Sequence, residues 1–399
     1  MRTQIVYRCA SLGVIFFTSV FFTSLFGNHN IFLSDENQAL EMVCPETGSK
    51  SAAPANHRAL STAIEIAVQR IRSRNVNAVI VSTTVNKEAA AENLPYFLQS
   101  LLSVKPPLLN DTIIFCLDKS ACNKCSELHV DPQLCLYMNL GVSEESLAPS
   151  SDVIGASYWK LTYGRVFTTL RIHGEGVSVL PVDVDAVFLI NPFSLSEEIF
   201  EKPDSIAGVI DSQPFQLSTD DKKLLLNGGF LYFPATNPRS AIASSKALHN
   251  IWKKSCLGGN EQVVTTEVLK SLYNSSSPSD PRRPRILSHE KYLNFCNNPC
   301  GSQRFAEITS IEDLHSLENE MSNRPEFRLC ERECRQKWVF FHAACATWPD
   351  GQSINLSRAK GHVQKAILQW VEESRLEKVS VIKHLIDSSP VVEETISIV

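Results

Sequence analysis

Residues 164–193 have the sequence GRVFTTLRIHGEGVSVLPVDVDAVFLINPF, in which a helix-like segment leads into a short apolar strand. The strand, VSVLPV at 177–182, ends at Asp183 and Asp185, and a second apolar run follows directly. Carboxylates enclosed by apolar sequence are costly to bury without a partner. Oxygen ligands of this kind suit Mg²⁺ or Mn²⁺. The segment therefore predicts a metal-binding Asp-x-Asp pair at a strand end, with a solvated acidic turn as the alternative.

Two more strands are predicted upstream of this segment. Residues 78–83 (AVIVST) and 112–117 (TIIFCL) are β-branched runs typical of buried strands, and residues 88–102 between them have helical character. A strand, a helix and a strand with short connections indicate a parallel sheet, so an α/β protein is predicted. Ligands of such sheets bind at the carboxyl ends of the strands, where Ser82 and Asp118 fall together with the two aspartates.

The segment 164–193 resembles the nucleotide-diphospho-sugar transferase family, which includes plant cell-wall xylosyl-, galactosyl- and arabinosyltransferases. The shared pattern is a basic residue, a helix, a glycine, a strand, Asp-x-Asp, an apolar run and a Pro-Phe pair. Residues 206–211 (IAGVID) and 226–233 (LNGGFLYF) are similar to the next two blocks of that family, and the strands and helix upstream resemble its opening. The resemblance covers roughly residues 75–370.

This resemblance implies a GT-A-like (Rossmann-like) mixed sheet flanked by helices and a metal-dependent glycosyltransferase. The implied reaction moves a sugar from a UDP-linked donor to a glycan or glycoprotein acceptor, with retention of configuration. The implied cofactor is Mn²⁺ or Mg²⁺, and the donor substrate is a nucleotide-diphosphate sugar.

Candidate site residues follow from the positions that match the family's motifs. The implied metal ligands are Asp183, Asp185 and His342. The implied contacts to the nucleotide and its phosphates are Ser82, Thr83, Asp118, Arg165, Asp183 and Gly228. Alignment of donor sugar and acceptor falls to Asn227, Asp211 and Gln262, which act by position rather than by proton transfer.

Several of these assignments have alternatives in the sequence. Lys160 competes with Arg165 for the phosphate role, and either Lys360 or Lys365 matches the family's C-terminal lysine, although the spacing after His342 differs. The structural alternatives are a hydrogen-bonded core histidine for His342, a helix cap for Asp118, and a simple turn for Asn227 and Gly228.

An uncharged stretch near the N-terminus predicts a membrane anchor. Residues 9–28 carry no charged side chain, and about 20 apolar residues in a helix span a bilayer. Basic residues precede the stretch and acidic residues follow it, which predicts a cytoplasmic N-terminus and a lumenal body. The predicted order is a tail at 1–8, a signal anchor at 9–28, a stem at 29–60, a lumenal domain at 61–378 and a C-terminal tail at 379–399. The resemblance places this type II protein in the Golgi membrane; a cleaved signal peptide is the alternative.

The cysteine content and the net charge of the chain indicate which covalent links and which binding partners to expect. The chain has 12 cysteines, including the close pairs 122/125, 296/300 and 330/334. In an oxidising lumen such cysteines favour disulfides over zinc, and Cys44 in the stem is available for a disulfide-linked dimer. Sequons at Asn110, Asn274 and Asn355 predict glycosylation. A net charge of −5 provides no basic surface for nucleic acid.

Three other functions are alternatives to a transferase. A non-catalytic lumenal lectin or scaffold would need neither metal nor sugar nucleotide. An aspartyl-phosphate phosphohydrolase would use Asp183 as its nucleophile, but that motif usually opens a domain's first strand, and here two strands precede it. A glycosidase would need two separated carboxylates across a cleft, a pair that the sequence does not reveal.

Overall fold

The computed structural model describes residues 56–141, 156–194, 197–210, 226–256, 261–277, 279–280, 282–295, 308–321, 332–344 and 356–388. The helices are α1 His57–Arg74, α2 Lys87–Glu92, α3 Leu94–Ser103, α4 Lys119–Glu127, α5 Ala156–Gly174, α6 Glu198–Glu201, α7 Pro238–Cys256, α8 Glu261–Ser275, α9 Ile311–Met321, α10 Arg332–Arg335 and α11 Leu356–Ser388. The strands are β1 Val79–Val85, β2 Thr112–Cys116, β3 Cys135–Tyr137, β4 Ser178–Pro181, β5 Ala186–Phe188, β6 Ala207–Ile210, β7 Leu226–Tyr232, β8 Arg285–Ile286, β9 Tyr292–Asn294 and β10 Phe340–His342.

A four-stranded parallel sheet forms the centre of the α/β body. Its strand order is β3-β2-β1-β4, and β1 pairs in parallel with both β2 and β4. Val81, for example, lies opposite Thr112 on one side and Leu180 on the other. Because β1 and β2 are buried on both faces, their apolar β-branched runs are continuous rather than alternating. The predicted α/β class with a parallel sheet is therefore confirmed.

Isolated antiparallel bridges join this parallel sheet to a second sheet. Isolated bridges Val179–Phe233 and Val182–Phe230 connect β4 with β7. Strand β7 runs antiparallel to β6, which pairs with β8. A separate three-stranded sheet has the order β5-β10-β9. It starts directly after Asp185, so the Asp-x-Asp turn lies where the chain leaves one sheet for another.

The helix predicted at 88–102 is divided into α2 and α3. Asn93 lies between them, and Pro95 falls in the first turn of α3, where the missing N–H of proline is tolerated. The side chain of Asn93 is buried and donates hydrogen bonds to the Ser357 carbonyl at 3.0 Å and to Gln364 Oε1 at 3.0 Å. The break thus serves a long-range contact with α11, which local spacing cannot reveal.

Three phenylalanines hold the elements that carry the candidate site. The rings of Phe188 on β5, Phe230 on β7 and Phe340 on β10 pack with centroid separations of 5.4 Å (188–340), 4.6 Å (230–340) and 6.5 Å (188–230). All three are almost fully buried. Burying an aromatic side chain contributes on the order of 2–3 kcal/mol, and edge contacts add to this.

The long helix α11 closes the structure over α2 and α3. A side chain at Gly361 would place its Cβ 2.4 Å from the Glu92 carbonyl oxygen, so glycine permits this close approach. The helix runs to Ser388, beyond the predicted domain end at 378. In the part of the chain that the structure describes, no helix has both the length and the apolarity needed to cross a membrane. The predicted anchor at 9–28, Cys44 and Asn355 lie outside the described residues.

His173 gives the fold a pH dependence. Burial lowers the pKa of this α5 histidine from the usual 6.5 to about 4, although Nε2 donates to the Pro234 carbonyl at 3.2 Å. The unfolded chain therefore takes up a proton below pH 6.5 that the folded chain accepts only near pH 4. We expect His173 to remove up to about 3 kcal/mol of stability as pH falls through that window. Urea unfolding of wild type and His173→Gln at pH 4.5 and 7 measures this. Equal pH slopes for the two proteins would contradict it.

Candidate metal centre

Asp183, Asp185 and His342 converge at the turn between β4 and β5. Within the described part of the chain they form the one group of acidic, histidine or cysteine residues whose ligand atoms all lie within 4.8 Å of each other. His342 Nε2 is 3.0 Å from Asp185 Oδ1 and 3.4 Å from Asp183 Oδ2. The structure therefore brings together the three residues that the sequence predicts as metal ligands, although 157 positions separate Asp185 from His342.

Backbone hydrogen bonds explain why these side chains meet. The N–H of Asp183 donates to the Gly229 carbonyl on β7, and the N–H of Ala186 closes a turn onto the Asp183 carbonyl. The N–H of Ala343 donates to the Asp185 carbonyl, which aligns the end of β10 with the turn. Each ligand thus lies at the end of a paired strand rather than in a free loop.

Asn227 orients the imidazole of His342. His342 Nδ1 donates to Asn227 Oδ1 at 2.9 Å, and the same oxygen accepts the Gly229 N–H at 2.7 Å. Without a metal, Nε2 donates a hydrogen bond to Asp185 Oδ1 at 3.0 Å. If a metal were bound, a neutral imidazole with its proton on Nδ1 would present the Nε2 lone pair to that metal. A metal-binding histidine generally has such a partner on its other nitrogen. Asn227, predicted to align substrate, is therefore also a support for the metal ligand.

Two cations pair with the two aspartates. Arg165 Nη1 on α5 lies 2.7 Å from Asp183 Oδ1, and a second guanidinium nitrogen donates to the Gly228 carbonyl. Lys360 Nζ on α11 lies 2.5 Å from Asp185 Oδ2. Of the two lysines that the sequence left open, Lys360 reaches the site, whereas Lys365 is exposed on the same helix.

Burial and charge together set the protonation of the site. Burial alone would raise the pKa of Asp185, but Lys360 and His342 outweigh it and hold that pKa well below its usual range. Burial would lower the pKa of His342, yet the charge of Asp185 and its hydrogen bond raise it. The same carboxylate outweighs burial and raises the pKa of Lys360. Without a metal, Lys360 and His342 thus offset the buried charge of Asp185.

Glu261 is a site residue that the sequence analysis did not select. It begins α8, is almost fully buried, and its carboxylate lies against Gly228 beside Arg165. Burial raises its pKa, while the charge of Arg165 opposes that shift. A signal was available, because Glu261-Gln262 stands where the family that the sequence resembles usually has Asp-Gln, and the sequence analysis selects Gln262. Gln262 follows on α8 and is half-buried, so its predicted role stays a prediction.

The predicted nucleotide contacts lie beside the turn. The Ser82 carbonyl accepts the Val182 N–H at 2.8 Å, so Ser82 is adjacent to the Asp-x-Asp pair. The Thr83 hydroxyl is buried and has no hydrogen-bond partner among the described residues. Asp118 caps two helices, accepting the N–H of Ala121 and of Lys87 at 2.7 Å each. Their contacts with a nucleotide stay predictions, and Asp211 lies outside the described residues.

The donor set could hold a divalent cation. Two carboxylates and one imidazole nitrogen provide hard oxygen ligands together with one borderline nitrogen ligand. Exposure is graded: the Asp183 side chain is 39% exposed, whereas Asp185 is 8% and His342 3% exposed. The site is therefore open on the Asp183 side, where a ligand can approach.

Gln364 holds the backbone of the Asp-x-Asp turn. Its Nε2 donates to the carbonyls of Val184 at 2.9 Å and Ala186 at 2.8 Å, the two neighbours of Asp185. Its Oε1 accepts from Asn93, and the side chain is fully buried. Helix α11 thus supplies Lys360, which pairs with the Asp185 carboxylate, and Gln364, which hydrogen-bonds to the backbone on either side of Asp185.

Comparisons with known proteins identify a family and two similar solved structures. The sequence profile of the family described as nucleotide-diphospho-sugar transferase matches residues 107–314, just over half of the chain. One similar solved structure is the apo form of the WbbM bifunctional glycosyltransferase, with 12% identity, a TM-score of 0.38, and coverage of 75% of this chain and 52% of that one. Another is apo mouse xyloside xylosyltransferase 1, with 12% identity, a TM-score of 0.39, and coverage of 68% and 100%. The chain spans about half the length of the WbbM protein. No curated protein sequence matches it.

Replacing Gly229 with alanine is expected to displace His342. The added Cβ would lie 2.4 Å from His342 Cε1 and 2.7 Å from Asn227 Oδ1. We expect Mn²⁺ affinity, measured by calorimetry, to fall about 10- to 100-fold, as for loss of a group that orients a metal ligand. The control is Gly174→Ala, whose Cβ meets nothing within 4 Å. Wild-type affinity in a folded Gly229→Ala protein would show that the ring position is not critical.

Replacing Gln364 with leucine is expected to destabilise the fold. It leaves two buried carbonyls and one Asn93 hydrogen unpaired, which costs about 3 kcal/mol. Urea unfolding measures the loss, and the exposed Gln69→Leu should change stability by under about 0.5 kcal/mol. If both variants lose the same free energy of unfolding, the hydrogen bonds of Gln364 do not stabilise the fold.

Proposed function

Because this chain belongs to the nucleotide-diphospho-sugar transferase family, we propose that it is a glycosyltransferase that uses a UDP-sugar and Mn²⁺ to modify a glycan or glycoprotein. We propose that the body adopts a GT-A-like arrangement and acts in the Golgi lumen, behind the anchor at 9–28. Transfer with retention of configuration belongs to the same proposal.

The convergence of Asp183, Asp185 and His342 is the observation that carries this proposal. When bound, a divalent cation supplies positive charge to the diphosphate of the donor as its bond to the sugar breaks. A nucleotide-sugar diphosphate carries about two negative charges, which a divalent cation balances. The charges of cation and donor therefore offset each other, so that their joint binding adds little net charge to the site.

We propose that Arg165 and Lys360 bind the donor phosphates. Each now pairs with one aspartate carboxylate, at 2.7 and 2.5 Å. If the two carboxylates held a cation, both side chains would be free to pair with the diphosphate of the donor. Preorganised positive charge at the leaving group lowers the barrier of a transfer reaction. We assign Arg165 and Lys360 to leaving-group stabilisation.

Substrate alignment is assigned to the rim of the site. Asn227 and Gly228 lie beside the metal ligands, and the buried Glu261 carboxylate lies behind Gly228. Asp211 and Gln262 complete the proposed set for the sugar and the acceptor hydroxyl. Their role is to hold the reacting groups in line, which is a large part of what a transferase must supply.

The first test is donor turnover by the full-length chain. Slow hydrolysis of a panel of UDP- and GDP-sugars is measured with and without Mn²⁺. We expect turnover of one UDP-sugar that requires the cation. The variants Asp183→Asn and Asp185→Asn should lose about 100-fold or more of kcat. The control Asp131→Asn removes a carboxylate that pairs with Arg70 at 2.6 Å outside the site and should keep full activity.

The other outcomes identify the competing functions. A folded chain that binds no donor would favour the lectin or scaffold. Phosphatase activity that is lost in Asp183→Asn would favour the phosphohydrolase. Turnover that is unchanged by chelation and by both substitutions would overturn the metal assignment.

A further inference from the structure

A buried carboxylate lies beside the metal-binding cluster without belonging to it. Glu261, the first residue of α8, is only 6% exposed. Among the described residues, the acidic and histidine side chains whose ligand atoms all lie within 4.8 Å of one another are Asp183, Asp185 and His342. A cation bound by these three would therefore leave the Glu261 carboxylate available to another partner.

Arg165 and Glu261 approach the same glycine, Gly228. The position that a Cβ of Gly228 would occupy is 3.2 Å from Glu261 Oε2 and 3.7 Å from Arg165 Nη1. A second nitrogen of the guanidinium donates to the Gly228 carbonyl. The carboxylate and the guanidinium therefore border the same small space, which a side chain at residue 228 would fill.

The surroundings of the two groups favour an interaction between their charges. Both line a cavity between helices α5, α7 and α8, and several of its other walls are apolar, Leu231 and Phe233 among them. Opposite charges attract more strongly in such surroundings than in water. In agreement, the charge of Arg165 opposes the rise in pKa that burial causes at Glu261. Glu261 is thus an electrostatic partner of Arg165.

Arg165 needs such a partner if Asp183 binds a cation. In this structure Arg165 Nη1 pairs with Asp183 Oδ1 at 2.7 Å, and the arginine side chain is only 13% exposed. A cation on the same carboxylate would compete with this ion pair, and a largely buried guanidinium that loses its anion is destabilised. A guanidinium carries five N–H donors in a planar fork, so one edge can face a carboxylate while another binds phosphate. Glu261 can therefore hold Arg165 without taking the donors that a phosphate needs.

We propose that Glu261 is a positioning residue, which keeps the Arg165 guanidinium beside Gly228 while Asp183 binds a cation and Arg165 binds the diphosphate of a nucleotide. It acts through Arg165 and does not itself contact the substrate. This inference rests on the proposed function, because it takes Arg165 as a ligand of the donor diphosphate. The pairing of Glu261 with Arg165 can also be measured without any donor, through the stability of the protein.

The first measurement is the affinity of the full-length chain for UDP in the presence of Mn²⁺, by calorimetry. Glu261→Gln keeps the size of the side chain and removes its charge, and we expect it to weaken UDP binding about 10-fold. Glu261→Asp keeps the charge and should recover most of that loss. The control is Glu267→Gln, which removes an exposed carboxylate of the same helix that pairs with Lys254 at 3.2 Å. The control should bind UDP as tightly as the wild type.

A double-mutant cycle shows whether Glu261 acts through Arg165. In the Arg165→Gln background, adding Glu261→Gln should change UDP affinity by less than about 2-fold, because the group that Glu261 positions is gone. The second readout is urea unfolding without UDP or Mn²⁺. There, Glu261→Gln should disfavour the folded state about 3- to 10-fold more in the wild-type background than in the Arg165→Gln background.

Independent effects of the two substitutions, in binding and in unfolding alike, would overturn the proposal, because Glu261 would then act without Arg165. Full UDP affinity in a folded Glu261→Gln protein would overturn it as well. So would a Glu261→Asp protein that binds UDP no better than Glu261→Gln does. A wild-type chain that binds no UDP would contradict the proposed function instead. In that case coupling in unfolding would still support the pairing, and additive effects on unfolding would overturn it.

Discussion

The buried carboxylate of Asp185 is the group on which the arrangement of the site depends. Its side chain is 8% exposed, and it accepts from His342 at 3.0 Å and from Lys360 at 2.5 Å. A buried charge is tolerated only when it is paired and hydrogen-bonded, so β10 and α11 must both be in place before this residue can be buried. The Asp185 carboxylate, near the middle of the chain, thus constrains the positions of β10 and α11, which lie far from it in sequence.

Apolar packing and polar pairing support the same geometry. The phenylalanines on β5, β7 and β10 fix the strands, and Gln364 fixes the carbonyls on either side of Asp185. The glycines of β7 then leave room for the imidazole, since a Cβ at Gly229 would collide with it. Packing, hydrogen bonds and the space left by glycine therefore all hold the metal-ligand side chains in place. These side chains can keep their positions when a metal replaces their present ionic partners.

The sequence predicted those features that depend on short-range pattern. Strand runs, the Asp-x-Asp turn and His342 after an apolar strand all have local signatures, and the parallel sheet follows from strand–helix–strand order. The break at Asn93, the choice of Lys360 over Lys365, and the burial of Glu261 depend on contacts between distant segments.

The close approach of α11 to α2 has a consequence for tuning the site. Gly361 is the neighbour of Lys360, and the Glu92 carbonyl occupies the space that a side chain at 361 would need. Any larger residue there would move the helix outward and carry the ammonium away from Asp185. Because Coulomb energy falls with distance, the strength of this ion pair can be graded by the size of a residue that has no charge and touches no ligand. The size of the side chain at position 361 thus sets the strength of the ion pair between Lys360 and Asp185.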